Sequence, residues 1–199
     1  AVLFGNQEND LRGIWGNGSE WWVVGTGPVV LHSLDGTEWE NVTSRLPEGT
    51  LDLFDVWGLP GQSPWIAAAG GRLIPLVEAE EPEFYAMGEE DLVAVMLDEN
   101  QGVLALNSAG SLLAVDAGGL SLVAVGEVGT GGLRTMWVKS RDEIFVGGSG
   151  GIMDVFAGEE FRKFSTGVRR DLFAVFADPN GLVRAVGAAG TVLRREGPN

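Results

Sequence analysis

The chain has 199 residues, 45% of them hydrophobic and 21% charged, enough to bury a sizeable core. A formal net charge of -15 repels phosphate backbones and anionic lipid surfaces, which argues against nucleic acid and membrane surfaces as partners. The absence of cysteine rules out disulfides and thiolate chemistry, and no apolar run reaches the roughly 18 residues of a membrane-spanning helix.

The 31 glycines lie among Val, Leu, Trp and Phe. Each would cost about 1 kcal/mol inside a helix, so they argue for short strands and tight turns. A first strand is expected over Leu11-Arg-Gly-Ile-Trp15-Gly16 and a second from Trp21-Trp22 to the turn Val24-Gly-Thr-Gly27. A third covers Val29-Val-Leu31 and carries His32, and a fourth holds Trp39. The opening segment then recurs as Leu53-Phe-Asp-Val-Trp57-Gly58, Leu92-Val-Ala-Val-Met96, Leu133-Arg-Thr-Met-Trp137 and Leu172-Phe-Ala-Val-Phe176. The leading leucines stand 42, 39, 41 and 39 residues apart. Small-residue turns follow at Val146-Gly-Gly-Ser-Gly150 and Val186-Gly-Ala-Ala-Gly190, and aromatics fall in the fourth strands at Phe84 and Phe161.

Four strands per repeat of about forty residues describe a β-propeller blade. The fold class is therefore all-β: a five-bladed β-propeller of four-stranded antiparallel blades. It is read as one domain over residues 1–199, with blades near 11–50, 51–90, 91–131, 132–170 and 171–199. The last blade supplies three strands, and residues 1–7 are expected to add its fourth and close the ring, protecting open sheet edges. The alternative is a piece of a larger propeller, or a ring built from several chains.

The pattern L-x-x-V-W-G, V-G-x-G-x-V-L and D-G-x-x-W, best seen from Leu11 to Val42, resembles the Asp-box repeats of sialidase-like propellers and the photosystem II assembly factor family. Ser33-Leu-Asp-Gly-Thr-Glu-Trp39 is one residue short of an Asp box. The resemblance implies a bacterial propeller with an extracellular, periplasmic or cell-surface location and a binding role; fold alone does not fix function.

Trp15, Trp57, Met96, Trp137 and Phe176 share one repeat position, and packing between blades is preferred there over a ligand channel. Asp10, Asp52, Asp91 and Asp171 each precede a leading leucine, with Gly132 breaking the set. A ring of carboxylates at the channel mouth is one reading; capping of turn N–H groups is the preferred one. The acidic run Glu78, Glu80, Glu81, Glu83, Glu89, Glu90 and Asp91 reads as a solvated face. Residues 160–199 carry a net +3, and Arg169-Arg170 there form a candidate anion clamp for a partner. Trp21, Trp22 and Trp65 are candidate platforms for a sugar, since alternation sends Trp21 and Trp22 to opposite faces.

Catalysis finds little support. His32 is the single histidine, Asp55 the one carboxylate within an inner strand, and Tyr85 the sole tyrosine, in an outer strand. No catalytic residue, metal site or cofactor is expected. The reading is a non-catalytic binding module, a protein-interaction scaffold of the bacterial envelope or exterior, with a lectin-like carbohydrate-binding propeller as the alternative. A monomer is favoured.

Overall fold

A computed structural model describes residues 9–77, 82–98, 100, 102–115, 122–127 (backbone only), 132–158, 160–178 and 181–195. The expected closing strand over residues 1–7 lies outside these, as do Glu78, Glu80 and Glu81.

The strands form five antiparallel sheets, each in sequence order. The first holds β1 (Leu11–Gly16), β2 (Trp21–Gly25), β3 (Val29–Ser33) and β4 (Glu40–Asn41). The second holds β5 (Leu53–Trp57), β6 (Trp65–Ala68), β7 (Arg72–Pro75) and β8 (Tyr85–Ala86). The third holds β9 (Leu92–Leu97), β10 (Val103–Asn107), β11 (Ser111–Val115) and β12 (Leu122–Glu127). The fourth holds β13 (Leu133–Ser140), β14 (Glu143–Gly148), β15 (Met153–Phe156) and β16 (Phe161–Phe164). The fifth has three strands, β17 (Leu172–Ala177), β18 (Val183–Gly187) and β19 (Thr191–Arg195). The fold is a five-bladed β-propeller, one sheet per repeat. Its outer strands depart slightly from expectation: Trp39 and Phe84 stand just before β4 and β8.

The chain divides into two compact units, residues 1–95 and 96–199. In the first unit, Trp15, Trp22, Val24 and Val30 of blade one pack on Leu53, Val56, Ile66 and Ile74 of blade two. In the second, Phe145, Met153 and Trp137 of blade four meet Leu172, Val175 and Leu193 of blade five. Both interfaces follow from strand alternation, because each blade has one apolar face for the blade before it and one for the blade after it. The shared aromatic position serves this packing. The Trp15 ring lies over Gly58, where a side-chain Cβ would come within 3.1 Å of it, and Trp137 meets Phe176 edge-on at 4.5 Å.

The innermost strands share a second feature that composition does not reveal. In β1, β5, β13 and β17 the pairing slips by one residue just after the leading leucine, at Arg12, Phe54, Arg134 and Phe173. A bulge there bends the strand and re-aims its side chains.

Candidate functional site

The pre-strand aspartates act at the seams between blades. Asp52 Oδ1 accepts the Gly27 N–H of the preceding blade at 3.0 Å, Asp91 Oδ1 the Gly70 N–H at 2.9 Å, and Asp171 Oδ1 the Gly150 N–H at 2.9 Å. Each acceptor thus holds the β-hairpin turn of its neighbour. The backbone carbonyls of Asp10, Asp52, Gly132 and Asp171 meanwhile accept N–H groups from the turns of their own blades. Asp171 also pairs with Arg134 at 3.2 Å, and Asp52 with Arg12 at 4.0 Å. Among the described residues no cluster of three metal-ligating side chains occurs.

The tryptophans named as sugar platforms fare differently from one another. Trp22 is buried between blades one and two and stacks on His32 at 4.0 Å, so it presents no face to a ligand. The expected split between Trp21 and Trp22 is real in direction, yet Trp21 is half-buried and covers Gly16, where a Cβ would sit within 2.4 Å of its ring. Trp65 is half-buried beside Tyr85, 5.5 Å away. The three lie in separate settings and make no common site.

Arg169 and Arg170 are both exposed on the loop between β16 and β17. Arg169 lines an open groove of about 500 Å³ in blade four, together with Gly150, Gly151, Asp154, Lys163 and Thr166. The groove is shaped by the loop folding back: the Thr166 hydroxyl donates to the Gly151 carbonyl at 2.9 Å. Gly151 has φ 79°, and a Cβ on it would strike the Val168 carbonyl at 2.2 Å, so the approach requires glycine. On the floor, Asp154 is buried opposite Lys163 in the β15–β16 ladder. Burial raises the Asp154 carboxyl above its ordinary range, while Lys163 and the Phe164 N–H pull it back. A second hollow, of about 230 Å³, adjoins through Phe164, Ser165 and Thr166 and is rimmed by Arg194 and Arg195, whose guanidinium lies 3.8 Å over the Phe164 ring. This end of the second unit is therefore a cationic groove with an apolar wall, on a chain whose net charge is -15.

Sequence reasoning reached Arg169 through its charge. It counted Lys163 only among the bases of residues 160–199 and missed Asp154, Phe164 and Thr166, because which residue faces which across β15 and β16 depends on register.

A distinct turn in blade one joins β3 to β4. Asp35 accepts the Thr37 N–H and hydroxyl, each at 2.7 Å, and the Glu38 N–H at 2.9 Å. These bonds hold its carboxyl well below the usual range. The network closes a turn rather than offering a site.

No family model and no curated protein sequence matches the chain. Solved structures do. YCF48 from Cyanidioschyzon merolae superposes with a TM-score of 0.63 at 17% identity, over 94% of this chain and 66% of that one. YCF48 bound to a D1 peptide gives 0.57 at 14% identity, over 98% and 81%. The extracellular domain of the hybrid two-component system BT4673 from B. thetaiotaomicron gives 0.72 at 11%, over 93% and 27%. The likeness is one of fold. This chain spans about two thirds of the length of the first of these proteins and about a quarter of the last.

Proposed function

We propose that this propeller is a non-catalytic binding module for protein, receiving an extended acidic segment in the cationic groove of blade four. One observation carries the reading: Lys163 and Arg169 line an open groove on an otherwise acidic chain, with Arg194 and Arg195 rimming the adjoining hollow. Arginine gives planar, bidentate recognition of carboxylates, and the Phe164 wall suits an apolar residue between acids. A protein of the same fold bound to a peptide supports the class of partner, and extracellular domains of that fold support an envelope or exterior setting.

Fluorescence anisotropy with a set of acidic, neutral and basic peptides tests this. Acidic peptides should bind most tightly, and Arg169→Glu with Arg170→Glu should weaken them by tenfold or more. Equal binding of all three sets, or indifference to the charge reversal, overturns the reading.

A further inference from the structure

Blade four breaks the pattern of its own repeat at one buried position. On its third strand, Asp154 takes the place held by Leu31, Ile74, Leu113 and Leu193 on the third strands of the other blades. The registers agree. Asp154 lies opposite Val146 as Leu31 lies opposite Val23, Ile74 opposite Ile66, Leu113 opposite Ala105 and Leu193 opposite Ala185. Leu31, Ile74 and Leu113 are 2%, 0% and 5% exposed, and Asp154 is as deeply buried at 4%. The other blades fill this place with an aliphatic side chain, so a carboxylate there is desolvated at a cost that the fold does not require. Side chains that break a local rule of their own fold mark functional positions.

The exception falls on the floor of the groove. Across the β15–β16 ladder Asp154 faces the exposed Lys163, and both line the groove with Arg169. Directly opposed residues stand about 5 Å apart at Cβ. The Lys163 charge and the Phe164 N–H favour the ionised form of Asp154, and a carboxylate has acceptor positions for further donors. The groove thus sets an acceptor beside a donor. A ligand carboxylate over this pair would meet the like charge of Asp154, and a cation would meet Lys163 and Arg169. An apolar group would leave the buried carboxylate short of donors. A hydroxyl carries its donor and acceptor on one atom, which does not serve two side chains at that spacing. A primary carboxamide does: its NH2 donates to Asp154 while its carbonyl oxygen accepts from the Lys163 ammonium.

We propose, on the premise that an acidic segment occupies this groove, that Asp154 and Lys163 select a segment carrying Asn or Gln between its acids and bind that carboxamide. Asp154 is thereby the specificity-determining residue of the site.

Fluorescence anisotropy with three glutamate-rich peptides that differ only in a central Gln, Leu or Glu tests it. Charge attraction alone would rank the Glu peptide first. The wild type should instead bind the Gln peptide about tenfold more tightly than either of the others. Asp154→Leu installs the residue of the other blades, so its unfolding midpoint should be no lower than that of the wild type. Its preference for Gln over Leu should fall to within about twofold. Arg169→Glu with Arg170→Glu should weaken all three peptides together and leave their order unchanged. Binding of the three peptides without preference for Gln, or a preference that survives Asp154→Leu, overturns the proposal and leaves the acidic-segment reading standing. Failure of every acidic peptide to bind overturns both. A lowered midpoint in Asp154→Leu would mean that the fold itself requires the carboxylate, and overturns the proposal as well.

Discussion

The Asp55 carboxylate on β5 accepts the backbone N–H of Val95 on β9 through Oδ2 at 3.0 Å, while Oδ1 accepts the Val56 N–H at 2.9 Å. It sits just after the bulge, two residues past the leading leucine. In blade four Thr135 holds the corresponding place, and its hydroxyl accepts the Val175 N–H at 3.3 Å. A polar side chain at this point thus ties one inner strand to the next. Although Asp55 keeps some surface open to solvent, the protein around it desolvates the carboxyl and pushes its pKa up to about 7, against the lowering effect of the two N–H groups.

That shift fixes a pH dependence. Below about pH 4 the group is protonated in both folded and unfolded chains. Between pH 4 and 7 the folded chain retains a proton that the unfolded one has released, so stability falls as pH rises and is level again above 7. Asp55→Thr, borrowing the solution of blade four, should flatten this part of the profile. Urea midpoints of both proteins at pH 4 to 8 provide the check; parallel profiles would remove Asp55 as the cause.

The aspartate at the blade four–five seam should be measurable by itself. Asp171→Ala removes the acceptor of the Gly150 N–H and the partner of Arg134, and should cost about 1–2 kcal/mol. Asp171→Asn keeps the acceptor and should recover most of that in chemical denaturation. An Ala variant as stable as the wild type would mean that water replaces the bond at no cost.

Ala189 is the only described residue other than glycine with positive φ, at 54°. Its counterparts Gly27, Gly70 and Gly150 have φ of 66°, 65° and 66°. Alanine is strained in this region by about 1 kcal/mol, so Ala189→Gly should raise the thermal midpoint by a few degrees. A lowered midpoint in calorimetry would contradict the assignment of strain.

Trp15→Ala empties the seam over Gly58 and should destabilise the chain by about 3–5 kcal/mol, whereas Trp15→Phe should cost less. Equal losses in the two variants would show that ring size is not what the seam requires.

The repeat was legible because its markers are local: a leucine, a large residue four later, and a glycine turn all fall at a fixed spacing. The strand assignments and the packing role of Trp15 and Trp137 followed from that spacing. The bulges at Arg12 and Phe54 were not legible, since a bulge is a mismatch between two strands and leaves no mark on either. Asp55 was visible as an unusual carboxylate, but its partner Val95 lies 40 residues away and is a backbone group, which side-chain identity cannot reveal. The groove was half legible. Arg169 stood out by charge, whereas Asp154 and Lys163 come together only through the pairing of β15 with β16.

Gly132 replaces the aspartate that holds a neighbouring turn elsewhere; its N–H donates to the Ser108 carbonyl at 3.2 Å, and the turn at Asn107–Gly110 is also closed from within its own blade, the Asn107 side chain accepting the Ser111 N–H at 2.7 Å. Amide exchange should register the difference. Protons on Gly27, Gly70 and Gly150 are bonded to a carboxylate of the next blade, so their exchange requires that bond across the seam to break. The Ser111 proton needs only its own hairpin to open, and its exchange rate follows that blade alone.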